Sequence, residues 1–111
     1  MVKAEFWQQD KWKDALNNER YSWQEHAIVR LMEREISQVQ VLNILITGDC
    51  IEAYPDDKPF PGGLFFGRQA NGSPLHVVAS YDVEQHWVYI ITAYEPDLAH
   101  FKSDFRTRRN R

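Results

Sequence analysis

The chain has 111 residues, of which 43% are hydrophobic, 14% aromatic and 26% charged, the make-up of one soluble domain that buries its apolar surface without disulfide or metal staples. Thirteen basic against sixteen acidic residues give a formal net charge of -3 and a pI near 5.8, which excludes a general nucleic-acid-binding surface, because such domains carry a basic excess. A single cysteine, Cys50, excludes an internal disulfide and a cysteine-based zinc site; the chain has neither a signal-peptide core nor a run of about 18 apolar residues, so the cytoplasm is the expected compartment and no membrane partner is expected.

Residues 3 to 20 read as a helix with Trp12, Ala15 and Leu16 on one side and Phe6 and Trp7 elsewhere on the wheel. In "SWQEHAIVRLMEREIS", Ser22 and Glu25 have the spacing of a capping box that opens a second helix. Its wheel gathers Ala27, Ile28, Leu31 and Met32 on one side, and His26, Arg30, Glu33 and Arg34 on the other. Ser37 with Gln40 repeats the capping pattern ahead of "QVQVLNILIT", and Gly48 stands where a left-handed cap closes a helix.

Beyond Gly48 the period changes. "CIEAY", "LFFGRQ", "LHVVASY" and "HWVYIITAY" are rich in β-branched and aromatic residues and bounded by turn residues. "YPDDKPFPGG" is the one long loop, "ANGSP" supplies an Asn-Gly turn, and a short helix is expected in "PDLAHFKSDF". The order predicts an α+β domain, with helices packed on one face of a four-stranded antiparallel sheet and a short C-terminal helix. No repeat or boundary divides residues 1 to 111, which read as one domain with a helical N-terminal extension over 1 to 21. The last ten residues, "KSDFRTRRNR", hold five basic residues and one acid; such a tail suits phosphate contact but reads first as a solvated terminus.

No metal-ligand spacing, glycine-rich phosphate loop or serine-nucleophile motif occurs. Chemistry here would be metal-independent acid–base and electrostatic work by His, Arg, Tyr and Thr, with no cofactor. His26 and Arg30 lie one helical turn apart, and two cations at that spacing invite an anion between them: Glu33 of the same helix, or an RNA phosphate. His76 sits in an apolar strand, where a lone histidine is usually a hydrogen-bonded core residue. Thr92 and Tyr94 share one face of the last strand. A "DVEQ" connection of odd length would pair His76 with Thr92, and an even one would set it against Ile91 or Ala93. This residue set permits cleavage of RNA by its own 2′-hydroxyl, which needs an acid, a base and a cation at the phosphate.

The blocks "HAIVRLMEREIS", "VLNILITGDCIEAYPDD", "GSPLHVVASYD", "VYIITAYEPD" and "DFRTRR" resemble the family catalogued as domain of unknown function 4258, over about residues 22 to 108. That family is similar in turn to small ribonuclease toxins of the RelE and barnase-like kind, many of them thought to be paired with a cognate antitoxin protein. The resemblance implies a toxin-like architecture of helices ahead of a four-stranded sheet. It also implies roles for six positions. His26 would be a general acid or base, with Arg30 at the phosphate and Arg34 either reinforcing it or pairing with Glu33. His76 would be the second acid–base group, and Thr92 and Tyr94 would line the cleft. A competing expectation is a non-catalytic interaction module that docks through "EFWQQDKWKDAL". Convergence of His26, Arg30 and His76 on an open cleft would favour the enzyme, whereas a buried, backbone-bonded His76 with His26 facing open solvent would count against it.

Overall fold

The computed structural model describes residues 9–109. Its elements run α1 (Gln9–Asn17), β1 (Tyr21–Trp23), α2 (Glu25–Arg34), α3 (Gln38–Thr47), β2 (Asp49–Tyr54), β3 (Gly62–Arg68), β4 (Pro74–Asp82) and β5 (Trp87–Tyr94). The domain is α+β, but the sheet has five strands rather than four, in the order β1-β5-β4-β3-β2. β2 to β5 form the antiparallel meander that the turn residues predict. The added strand, β1, lies parallel to β5, with Tyr21 opposite Val88.

This strand overturns the capping-box expectation. Ser22 belongs to β1 rather than to a helix cap, and its Oγ accepts a hydrogen bond from the Trp87 indole at 2.7 Å. α2 starts at Glu25 behind Gln24, which makes no side-chain cap. Three residues were too few to show strand periodicity. The second capping pattern does form: Ser37 Oγ accepts from the Gln40 amide at 3.2 Å.

The core joins Trp12, Ala15 and Leu16 of α1, Leu31 of α2, and Val41, Ile44 and Leu45 of α3 to alternate residues of the sheet, among them Val77, Ala79, Tyr81, Val88 and Ile90. On β4 the period of two therefore assigns Val77, Ala79 and Tyr81 to the helix-covered face, and His76, Val78 and Ser80 to the other. α2 is rolled relative to the predicted wheel. Ala27 and Leu31 are buried, but Met32 is 74% exposed, and Arg34 reaches the Ala93 carbonyl of β5 at 2.7 Å. The helix lies along a strand near the sheet edge, so a narrow stripe suffices to bury it.

Two further expectations are corrected. Residues 96 to 105 form turns rather than a helix, tied by an isolated bridge between Phe101 and Arg108. Asp97 accepts from the amides of Ala99 and His100, and Asp104 from those of Arg106 and Thr107. Such side-chain bonds compete with a helical ladder and win in a segment this short. Gly48 is extended, with φ -81° and ψ -177°, so it is no left-handed cap. It is required for closeness: a Cβ there would stand 2.5 Å from the Phe66 carbonyl oxygen and 2.7 Å from that of Ile44.

The predicted helix over 3 to 20 is seen from Gln9 onward; its earlier part, with Phe6 and Trp7, lies outside the described residues. Gly48→Ala is expected to cost about 2 kcal/mol or more, since the clash is with backbone on two sides. Urea denaturation of the variant beside Gly72→Ala, where no atom crowds the site but φ is +91°, would separate crowding from left-handed strain of about 1 kcal/mol.

Candidate functional site

The face of the sheet that carries His76 is covered in two places. At one end the loop after β2 folds back so that the Phe60 ring lies parallel to Tyr89 of β5, centroids 5.4 Å apart at 9°. Between this loop, the start of α2 and the sheet lies a cavity of about 440 Å³. Val78 and Ile91 form part of its apolar floor, and His26, Tyr54, Lys58, Asp57 and Ser80 supply polar groups to its walls.

At the other end the C-terminal segment crosses the sheet. Arg108 grips Glu52 of β2 with two hydrogen bonds, Nε to Oε2 at 2.7 Å and Nη2 to Oε1 at 3.2 Å. Arg106 pairs with Asp49 and stacks over the Phe66 ring at 4.8 Å. The tail, up to Arg109, is mostly exposed but is held in place: two of its arginines are engaged by carboxylates of the edge strand.

His76 lies between these layers with no exposed surface. Its Nε2 is 2.7 Å from the Phe105 carbonyl oxygen, and its Nδ1 is 3.3 Å from the Tyr94 hydroxyl. A carbonyl only accepts, so Nε2 carries the proton and donates, which leaves Nδ1 to accept from Tyr94. The neutral ring is thus fully bonded, with Phe101 edge-on at 4.6 Å. Burial lowers its pKa from the ordinary 6.5, more than the Phe105 carbonyl raises it. Such a ring neither takes nor gives a proton easily near neutrality.

The register that brings Tyr94 to His76 follows neither alternative derived from the loop. Asp82 pairs with Trp87, which leaves the four residues Val83 to His86 in the turn, an even number that would set His76 against Ala93. A shift of one residue between Val78 and Ala79 then intervenes, skipping Ile91, and His76 faces Tyr94 while Val78 faces Thr92. One bulge therefore puts His76, Thr92 and Tyr94 on a common face.

The remaining positions run along α2. His26 is exposed and borders the cavity. Arg30 follows one turn later, paired with Glu33 at 3.2 Å with both side chains about half exposed (48% and 58%). An ion pair that open contributes about 1 kcal/mol at most and is easily exchanged for another anion. Arg34 is spent on the sheet edge, at 2.7 Å from the Ala93 carbonyl and 3.4 Å from Thr92 Oγ1. The six expected residues therefore divide into two groups. His26 borders an accessible cavity and Arg30 lies on the exposed helix surface beyond it; His76 with Tyr94, and Arg34 with Thr92, serve the packing of the sheet. His26, Arg30 and His76 do not converge on one cleft, and the buried, backbone-bonded His76 counts against a two-histidine enzyme.

Sequence reasoning missed the aromatic pair and the Arg108–Glu52 clamp. A phenylalanine between two prolines in a long loop was a usable signal for the first; nothing in the sequence links positions 56 apart for the second. Tyr54, which lines the cavity, hydrogen-bonds Glu52, and burial together with that carboxylate pushes its phenol up to about 12. It is a neutral phenol at any working pH. No group of His, Cys, Asp or Glu among the described residues could hold a metal ion, and none of their helices is long and apolar enough to cross a membrane.

The burial of His76 has a measurable consequence. Its folded pKa lies below the unfolded value, so the unfolded chain binds the extra proton. Stability should be fully present above about pH 6.5 and decline as the pH falls further, by at most about 1.4 kcal/mol per pH unit for one proton. Urea midpoints between pH 7.5 and 5 should show this slope in the parent and a shallower one in His76→Gln, itself destabilised by about 2 kcal/mol for the bonds it loses.

No curated protein and no solved structure matches the chain. A family described as Domain of unknown function (DUF4258) matches residues 23–95, from the end of β1 to the residue after β5. The match takes in His26, Arg30, the cavity-lining residues, His76 and Tyr94, and it stops short of the C-terminal arginines. The chain belongs to the DUF4258 family.

Proposed function

We propose that this protein engages single-stranded RNA along α2, with a phosphate at Arg30 and His26 as the acid–base group for cleavage by the neighbouring 2′-hydroxyl. One observation carries the reading: His26 and Arg30 are adjacent on an exposed helix surface, and His26 borders the 440 Å³ cavity. A phosphate there would replace Glu33 as the counter-ion of Arg30. The mechanism differs from the two-histidine scheme, because His76 is bonded on both ring nitrogens. His26 would take the 2′-hydroxyl proton as the 2′-oxygen bonds to phosphorus and the bond to the 5′-oxygen breaks. The departing 5′-oxygen would take its proton from water or from the protonated His26, and Arg30 would stabilise charge on the phosphate without a metal. In this reading the resemblance to RelE and barnase-like ribonucleases extends to activity, the protein acts in the cytoplasm as the toxin of a pair, and a cognate antitoxin is its partner.

The acidic body suits few phosphate contacts rather than many, so affinity should depend weakly on salt. With about two phosphates neutralised, a single-strand slope of about -1.4 in log K against log salt is expected.

A second reading, a protein-interaction module, draws on exposed apolar residues: Met32 and Val39 are each 74% exposed and Val29 45%. The described part of "EFWQQDKWKDAL" is a poor docking surface, since Trp12, Ala15 and Leu16 are core. The test is cleavage and binding of a mixed-sequence RNA with EDTA present, by parent, His26→Ala and Arg30→Gln, with folding checked by circular dichroism. The first reading expects cleavage lost and binding kept in His26→Ala, and binding weakened about tenfold in Arg30→Gln. Absence of RNA binding by the parent would leave the interaction module as the reading.

A further inference from the structure

We propose that the cavity beside His26 receives one unstacked base of the RNA strand, laid against the stacked pair of Phe60 and Tyr89. The inference rests on the RNA reading above and names the contact that holds the ligand's flat ring.

The argument begins with the shape of the space. At about 440 Å³ the cavity falls within the range of about 300–1,000 Å³ that small-molecule sites occupy. Two of its walls are aromatic rings already in parallel stacking. Both residues are only half-buried and both line the cavity, so part of each side chain stays accessible beside the space while the two rings stack on each other. A third planar ring extends such a stack at little cost, because every nucleobase has a π-face and stacking needs no particular edge pattern.

The surroundings fit a base that is still attached to a backbone. Val78 and Ile91 give an apolar floor, as an unstacked base requires on leaving water. His26 and Lys58 put cationic or protonatable groups on the lining, which matches a phosphate next to the base. Asp57, beside Lys58, offsets part of that charge. The balance suits a nucleotide with one phosphate near it and opposes a free polyphosphate. Arg30, one turn beyond His26, would then meet the next phosphate of the same strand. A strand that bulges one base into a pocket while its backbone follows a basic line is the usual way flexible RNA is read.

Phe60 is the selecting element. It comes from the loop between β2 and β3, held on each side by a proline, while Tyr89 comes from β5. The ring that completes the platform therefore sits on a segment that can be altered without touching the core, and the same substitution leaves His26 and Arg30 in place.

The experiment uses fluorescence anisotropy with two labelled probes of equal charge: an uridine hexamer of RNA and the same ribose-phosphate hexamer without bases, both in EDTA. The full chain should bind the base-bearing strand about tenfold tighter than the abasic one. Phe60→Leu and Tyr89→Leu should each remove most of that preference without changing abasic binding, and Phe60→Trp should retain it. Equal binding of the two probes by the parent, or a preference that survives both leucine variants, overturns the inference while the RNA reading stands. Failure to bind either probe removes both.

Discussion

One extra residue in β5 governs how the two faces of this protein are used. Between Ile90 and Thr92 the pairing with β4 slips by one position, and Ile91 is left out of the ladder. Before the slip, Val88 and Ile90 enter the core cluster with the helices. After it, Thr92 and Tyr94 fall on the face of Val78 and His76. An uninterrupted ladder would have set Ala93 beside His76 and turned Tyr94 towards the helices. The bulge thus supplies the hydroxyl that His76 accepts from, and it leaves Ile91 at the wall of the cavity. Bulges re-aim side chains in this way at the expense of local pairing. Here both the buried His76–Tyr94 bond and the open cavity depend on the same shift.

β5 is also where the rest of the chain is fastened. β1 joins it in parallel, the Gln24 amide donates to its Ile90 carbonyl at 2.9 Å, and Arg34 donates to Ala93. Three contacts from one short stretch hold α2 beside the strand. The position of His26 at the cavity follows from where β1 ends, because α2 begins two residues later.

Much of this was legible in the sequence. The four strands of the meander and α3 followed from residue type and turn chemistry, since each has enough length for a period to appear. β1 was hidden by its three residues and by a serine with the spacing of a helix cap; the Trp87 indole, 65 positions away, decides the fate of Ser22. His26 and Arg30 were legible because neighbours on a helix are fixed by local geometry. The fate of His76, Arg34 and Tyr94 was not, because each depends on a strand register set by a bulge, or on a carbonyl far along the chain. The turns of residues 96 to 105, where a short helix was expected, escaped for a related reason: Asp97 and Asp104 bond nearby backbone amides instead of leaving them to a helical ladder.

The partner of His76 has a final consequence. What the imidazole grips at residue 105 is a peptide oxygen, which every amino acid has, so the bond places no demand on the side chain there. The backbone does: Phe105 has φ +59°, a conformation that glycine or asparagine adopts more cheaply. The segment that shields the histidine lies outside the family-matched residues, and it is attached by that carbonyl together with the Arg106–Asp49 and Arg108–Glu52 pairs. A substitution of the residue 105 side chain therefore leaves the bond that keeps the ring dry intact, provided the backbone keeps its turn.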